Sequence, residues 1–273
     1  MAQTGWTSTI PSPGPAAEWL PALDIPEPGP QSRLTVLLRW LLLIPQFIAL
    51  WLLGILAFFV VVIGWFGALF TGRLPDFAAQ YLTGFLGYQT RVGASAMLLV
   101  DRYPPFTLDH RPSGYPVQVE VHPGPLNRLA VFFRLILVIP AAIVEGLLTA
   151  GWYTVSIIVW LVVLVLGRMP RPLFESTAAV LRYSMRLSAY LLLLTSAYPK
   201  RIFGDDADTA YGTAPEAVSA TRPLLLSGLG KGLVVLFLVV GLFSSAAENL
   251  ATDNSDNSTN NNSSSAPAQT DFW

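Results

Sequence analysis

Between Leu34 and Thr71 the chain runs for 38 residues with one charged side chain, Arg39. A helix on the surface of a soluble domain alternates apolar and polar faces, whereas about 18 unbroken apolar residues already suffice for a membrane span. A second such block lies between Arg128 and Arg168, and a third, shorter one covers Leu224 to Leu250. Only 12% of the residues are charged, against about 25% in an average soluble domain. These blocks imply a chain that lives in lipid. There is no cysteine, which excludes disulfides, thiolate metal sites and a cysteine nucleophile.

The first two blocks are copies of one unit, related without a gap by a constant offset of 95. Arg33, Arg39, Pro45, Trp65, Gly72-Arg73 and Pro75 map to Arg128, Arg134, Pro140, Trp160, Gly167-Arg168 and Pro170. Further along, Tyr88, Arg91 and Tyr103-Pro104 map to Tyr183, Arg186 and Tyr198-Pro199. Apolar bias alone does not reproduce Arg, Gly, Pro and Trp at fixed spacing. The expected organisation is a disordered tail over 1–19, repeat 1 over 20–110, repeat 2 over 115–204, an acidic solvated linker over 205–223, a C-terminal transmembrane helix over 224–250 and a disordered Asn/Ser-rich tail over 251–273.

A straight helix of 38 residues would be about 57 Å long, well beyond a hydrocarbon core of about 30 Å. The expectation is therefore a helical hairpin in each repeat, kinked at Pro45 or Pro140, with its turn near Leu50–Gly54 in the first copy and Glu145–Gly151 in the second. The hairpin either spans the membrane or re-enters on the same side. Arg33 and Arg73 flank the first block, and Arg128 and Arg168 with Arg171 flank the second, so both ends of each block favour the cytoplasmic side. No basic residue follows Lys231, so the last helix is expected to run outward and leave the C-terminal tail extracytoplasmic, with the N-terminus cytoplasmic.

Each hairpin is followed by a less hydrophobic segment, Asp76 to Val100 and Arg171 to Thr195, with apolar residues near helical spacing and Arg91, Arg182 and Arg186 among them. This pattern predicts an amphipathic interfacial helix whose arginines lie near anionic lipid. Tyr115 to Val121 alternates as an isolated short strand. The fold class is thus an all-α membrane protein: two tandem repeats, each a kinked transmembrane or re-entrant hairpin plus an interfacial helix, then one further transmembrane helix.

The chain offers little catalytic chemistry. His110 and His122 are the only histidines, in a Pro-rich connector, and neither lies at metal-ligand spacing. Ser156 and Ser184 lack a nucleophile elbow and a base. No phosphate-binding loop or dinucleotide fingerprint occurs, so no enzyme activity, cofactor or metal is expected. Guanidinium groups at a membrane face bind lipid phosphate, which makes Arg73, Arg91, Arg168, Arg182 and Arg186 the candidate lipid or partner site. The alternative is that these arginines cap helix C-termini or pair with Asp76, Asp101 or Glu175, with the glycine before Arg73 and Arg168 as the helix stop. Glu145 is an ionisable group inside an apolar block, and is either a water-facing residue at the outer turn or an ion or proton site.

Leu69-Phe70-Thr71-Gly72-Arg73-Leu74-Pro75 and Asp101-Arg102-Tyr103-Pro104-Pro105-Phe106, with Leu166-Gly167-Arg168-Met169-Pro170 and Leu194-Thr195-Ser196-Ala197-Tyr198-Pro199 in the second copy, resemble a family of bacterial, chiefly actinobacterial, membrane proteins known as domain of unknown function 4389. The resemblance implies a membrane location and a tandem architecture, and supplies no activity. Ser95 stands where the family pattern has Tyr, and Lys200-Arg201 replaces Pro-Phe, so sites built from those positions differ between the halves. The leading expectation is a non-enzymatic scaffold or adaptor in the cell membrane, multi-pass, engaging anionic lipid, a protein partner or a second copy, and no nucleic acid. The competing one is a small transporter or channel subunit built from two parallel repeats. The formal charge of -1 conceals a partition: residues 33–201 carry fourteen basic and six acidic side chains, and the flanks are acidic.

Overall fold

The computed structural model describes residues 20–205 and 219–264. The expected N-terminal tail over 1–19 and residues 206–218 of the expected linker lie outside the described residues. A short strand β1 (Ala22–Asp24) precedes helix α1 (Arg33–Leu37), the long helix α2 (Arg39–Thr71) and α3 (Asp76–Ala96). The second copy repeats the order as β2 (Gln118–Glu120), α4 (Arg128–Phe132), α5 (Arg134–Leu137), α6 (Ile139–Leu166) and α7 (Arg171–Leu191), after which α8 (Gly228–Ser264) ends the described chain.

Neither apolar block folds back on itself. α2 is one helix of 33 residues and α6 one of 28, about 50 and 42 Å long. Nothing in Leu50–Gly54 can stop a helix, because Leu, Trp and a lone Gly cost at most about 1 kcal/mol each in its interior. Glu145–Gly151 holds strong helix formers beside its two glycines, and runs straight through. Pro45 is accommodated inside α2, whereas Pro140 occupies the first turn of α6, where a missing N–H costs nothing. α2, α6 and the Gly228–Ala247 part of α8 are each long and apolar enough to cross a membrane, a composition that fits an integral membrane protein.

The true turns lie at the glycines. Gly72 and Gly167 end α2 and α6 with φ of 74° and 67°, the left-handed C-cap that glycine adopts without penalty. Pro75 and Pro170 then cap α3 and α7. α3 runs back along α2: Gly64 lies against Ala78, Gly54 against Phe85, and the Tyr81 hydroxyl donates to Leu53 O at 2.8 Å. Leu98 and Leu193 close α3 and α7 with φ of 60° and 62°, each followed by the six-to-one bond of a Schellman motif, Leu99 N to Ala94 O and Leu194 N to Ala189 O. Offset by 95 residues, these two pairs show that the sequence duplication extends to strained backbone.

The copies clasp each other end to end. Gln31 N donates to Gly167 O at 2.8 Å and Leu126 N to Gly72 O at 2.9 Å. The Trp160 indole donates to Val36 O at 2.9 Å and the Trp65 indole to Val131 O at 3.0 Å. The start of each copy therefore sits at the end of the other's long helix, and α2 and α6 point in opposite directions, related by a two-fold axis across them. This corrects the expectation of parallel repeats for these helices. The strand expected over Tyr115–Val121 is not isolated: β2 pairs antiparallel with β1, Leu23 opposite Val119 and Asp24 opposite Gln118, a register symmetric about the same axis. α8 packs antiparallel on α6, with Gly151 against the Phe237 backbone and Gly241 against the Leu147 backbone, the close approach that small residues permit.

Two further expectations change. The helix α8 continues past Leu250 to Ser264, because elongating a helix already nucleated by packing needs no new nucleus; residues 265–273 lie outside the described residues. The ends of the expected solvated linker are buried, with Asp205, Thr221 and Arg222 all inside. Ala220 N and Ile25 N tie this segment to the N-terminus through Ile25 O and the Thr221 hydroxyl.

Candidate functional site

Sequence periodicity placed Arg91, Arg182 and Arg186 at a lipid surface, and the structure buries all three. Gln80 and Gln89 of α3 are exposed, but the side that carries Arg91 is closed off. It is covered by the segment after it: Gly84 lies against Leu108, Gly87 against His110, and the Arg91 guanidinium donates to Thr107 O at 2.5 Å and Asp109 O at 2.6 Å. Burial lowers the Arg91 pKa, opposed by Tyr115 and Asp109. In the second copy, Arg186 donates to Pro21 O and Lys200 O, both at 3.2 Å, while Arg182 binds the buried Asp205 carboxylate and Arg201 O. These side chains fasten a connecting strap to each repeat. An interfacial role for them is corrected by that engagement, since a guanidinium spent on buried carbonyls has no donors directed at a headgroup.

Arg39 and Arg134, equivalent by the repeat, are buried as well, and their partners differ. Arg39 reaches Asp101 at 2.9 Å and the Ser95 hydroxyl at 3.0 Å. Arg134 stacks at 4.0 Å over the Tyr190 ring and donates to Thr195 O. Ser95 and Tyr190 are equivalent positions, so the departure noted in the sequence becomes an ion pair in one half and a cation–π contact in the other. Asp101 is thus taken by Arg39, which is not among the arginines for which an acidic partner was expected.

Arg73 and Arg168 remain exposed. Each follows the glycine that ends a long helix, and each is joined by an exposed arginine from the start of the other copy. The Arg128 side chain lies over Gly72, and Arg33 donates to Val165 O at 3.3 Å in the last turn of α6. A guanidinium there meets the negative end of the helix dipole, worth about 0.3 to 1 kcal/mol. Arg171 adds long ion pairs to Glu27 at 3.7 Å and Glu175 at 3.5 Å. Arg73 with Arg128 and Arg168 with Arg33 thus form two equivalent exposed pairs, one at each end of the α2–α6 layer.

Glu145 lies at no turn. It sits inside α6 and accepts from the Thr149 and Ser184 hydroxyls, both at 3.0 Å, which corrects its placement at an outer loop. Thr149 and Ser184 border a cavity of about 240 Å³ between α2, α3, α6 and α7, walled by Trp40, Phe47, Trp152 and Tyr153. His110 is half-buried and His122 exposed, beside Asp109 at 3.9 Å and Glu120 at 3.5 Å respectively.

Sequence reasoning missed the charged cluster at the two-fold axis. Arg222 binds Asp24 of β1 at 3.0 Å and Glu120 of β2 at 2.6 Å, all three buried. Its one signal is that Arg222 is the only cation between Arg201 and Lys231 in an acidic stretch.

The family described as "Domain of unknown function (DUF4389)" matches residues 33–107 and again 128–202, two tandem copies that begin 95 residues apart. No match was found among curated proteins or among solved structures.

Proposed function

We propose, from the premise that this chain belongs to the DUF4389 family, that it is a non-enzymatic membrane scaffold whose exposed helix-end arginines hold anionic lipid headgroups. The observation that carries the reading is the pairing of Arg73 with Arg128, and of Arg168 with Arg33, at the two ends of an apolar layer. Gly72 accepts from Leu126 N and Gly167 from Gln31 N across the copies, beside Arg73 and Arg168, so the pairs exist only in the assembled duplicate. A guanidinium beside an apolar helix end can satisfy its remaining donors on a lipid phosphate, and net charge favours an anionic headgroup over a zwitterionic one, whose own cation opposes the arginine. The buried arginines Arg91, Arg182 and Arg186 hold the platform together instead of touching lipid.

Native mass spectrometry of the full chain in detergent, titrated with phosphatidylglycerol and with phosphatidylcholine, tests this. Each arginine near an anionic surface is worth about 1 kcal/mol. Arg73→Ala with Arg168→Ala should therefore lower the preference for phosphatidylglycerol by about an order of magnitude, while Arg171→Ala, already ion-paired, changes it little. Equal retention of both lipids by the unaltered chain overturns the reading.

A further inference from the structure

α2 and α6 are long enough to cross a bilayer, but the chain that joins their ends bears on whether they do. Asp101 is bonded to Arg39 at the start of α2 and to Thr35 of α1 just before it, and Leu126 to Gly72 at the end of α2. Residues 101–126 therefore travel the length of the helix, and their only regular structure is the three-residue β2. Halfway, His110 packs on Gly87 in the middle of α3, with Asp109 and His110 side chains 53% and 45% exposed. In the second copy the described residues 195–205 and 219–227 do the same. Thr195 meets Arg134 near the start of the α4–α6 arm, and Ser227 meets Glu175 beyond the end of α6, with Asp205 bonded to Leu224 between.

Were α2 perpendicular to the membrane, this irregular backbone would cross the hydrocarbon with it, and the exposed Asp109 and half-buried His110 would sit at mid-depth. Lipid-exposed irregular backbone does not occur there, because its N–H and C=O groups have no partners, and ionisable side chains at that depth face the bundle interior. The layers run the other way. On α3, Ala78, Tyr81 and Phe85 face α2, whereas Gly84, Gly87 and Arg91 face the strap, and the charged β1–β2 sheet lies on the two-fold axis that crosses the long helices.

We infer that α2, α6 and the Gly228–Ala247 part of α8 lie flat within one leaflet, with the pseudo-two-fold axis along the bilayer normal and the sheet and straps on the water side. The inference rests on the membrane reading above and deepens it: the partner of the apolar face is the acyl region of a single leaflet. A helix about 10 to 12 Å thick fits a leaflet of about 15 Å. Leu41, Ile48, Leu52, Ile55, Phe59 and Phe66 form the outer face of α2, all exposed and apolar. A flat helix needs no tilt to match its length to the bilayer. It also brings both arginine pairs to one headgroup plane, which satisfies the basic flanks at both ends of each block without a hairpin.

The absence of cysteine makes depth measurable by single nitroxide labels on the full chain in phosphatidylglycerol–phosphatidylcholine vesicles. Cysteines replacing Leu41, Leu52 and Phe66 read three points along α2, and one replacing Ser113 reads the strap. Oxygen-to-nickel accessibility should place the three α2 labels at one depth, within a few ångströms, and the Ser113 label in water. A spanning helix would instead put Leu52 deepest, with Leu41 and Phe66 separated by up to about 38 Å along the normal, and that profile overturns the inference. If no label gains oxygen exposure, the membrane reading itself has failed, a distinguishable outcome.

Discussion

Arg222→Met should destabilise the fold by about 4 to 5 kcal/mol. The guanidinium bridges Asp24 at 3.0 Å and Glu120 at 2.6 Å, and the three side chains are 3%, 9% and 6% exposed. Removing one partner of a buried ion pair costs about 3 to 5 kcal/mol, because the remaining charge stays desolvated. Here two carboxylates on adjacent strands lose Arg222 at once and repel each other more strongly without it, so the upper half of that range applies. For a chain of this size it corresponds to a fall of about 10 to 20 °C in Tm. Thermal unfolding in detergent, followed by the fluorescence of the eight tryptophans, measures it. Asp24→Asn and Glu120→Gln added to Arg222→Met remove these three charges together and should recover most of the loss, since a neutral replacement of a whole buried pair is often tolerated. A loss below about 1 kcal/mol for Arg222→Met, or a triple variant no better than the single one, refutes the reasoning.

The packing of α8 can be tested by one substitution at two positions of α6. Gly151→Ala drives a methyl into the Phe237 carbonyl and should cost about 1 to 3 kcal/mol, whereas Gly146→Ala meets nothing within 4 Å and should gain up to about 1 kcal/mol; thermal unfolding reads both. Trp65→Phe and Trp160→Phe each remove one indole-to-carbonyl bond at opposite ends of the molecule. Each should cost about 1 kcal/mol, and the double variant should equal their sum within about 0.5 kcal/mol; a clear excess would mean that the two clasps are coupled.

Much of this architecture was legible because a repeat offset is a statement about backbone as well as side chains. Gly72 and Gly167 read as helix stops in the sequence, and both take the left-handed C-cap. The difference between Ser95 and Tyr190 read as asymmetry, and it separates an ion pair from a cation–π contact. The hairpin was misread because length was weighed against a bilayer crossed at right angles, while no residue in Leu50–Gly54 breaks a helix. Arg91 and Arg186 were misread for a different reason. Periodicity tells which side of a helix is polar, but not whether water, lipid or another stretch of chain covers that side, and here carbonyls some 14 to 18 residues later in sequence do so. The partner strand β1 was invisible because three residues, Ala22–Asp24, are too few to display a period.

The tie between Ile25 and Thr221 spans 196 positions of sequence. At elongation rates of about 5 to 20 residues per second, roughly 10 to 40 s separate the emergence of these two residues from the ribosome. Throughout that interval Leu23 and Ile25, both fully enclosed in the finished molecule, have no lid. Closure of the N-terminus is thus among the last events of biogenesis, and any nascent chain stopped before Arg222 exposes an uncovered strand edge to proteases and chaperones.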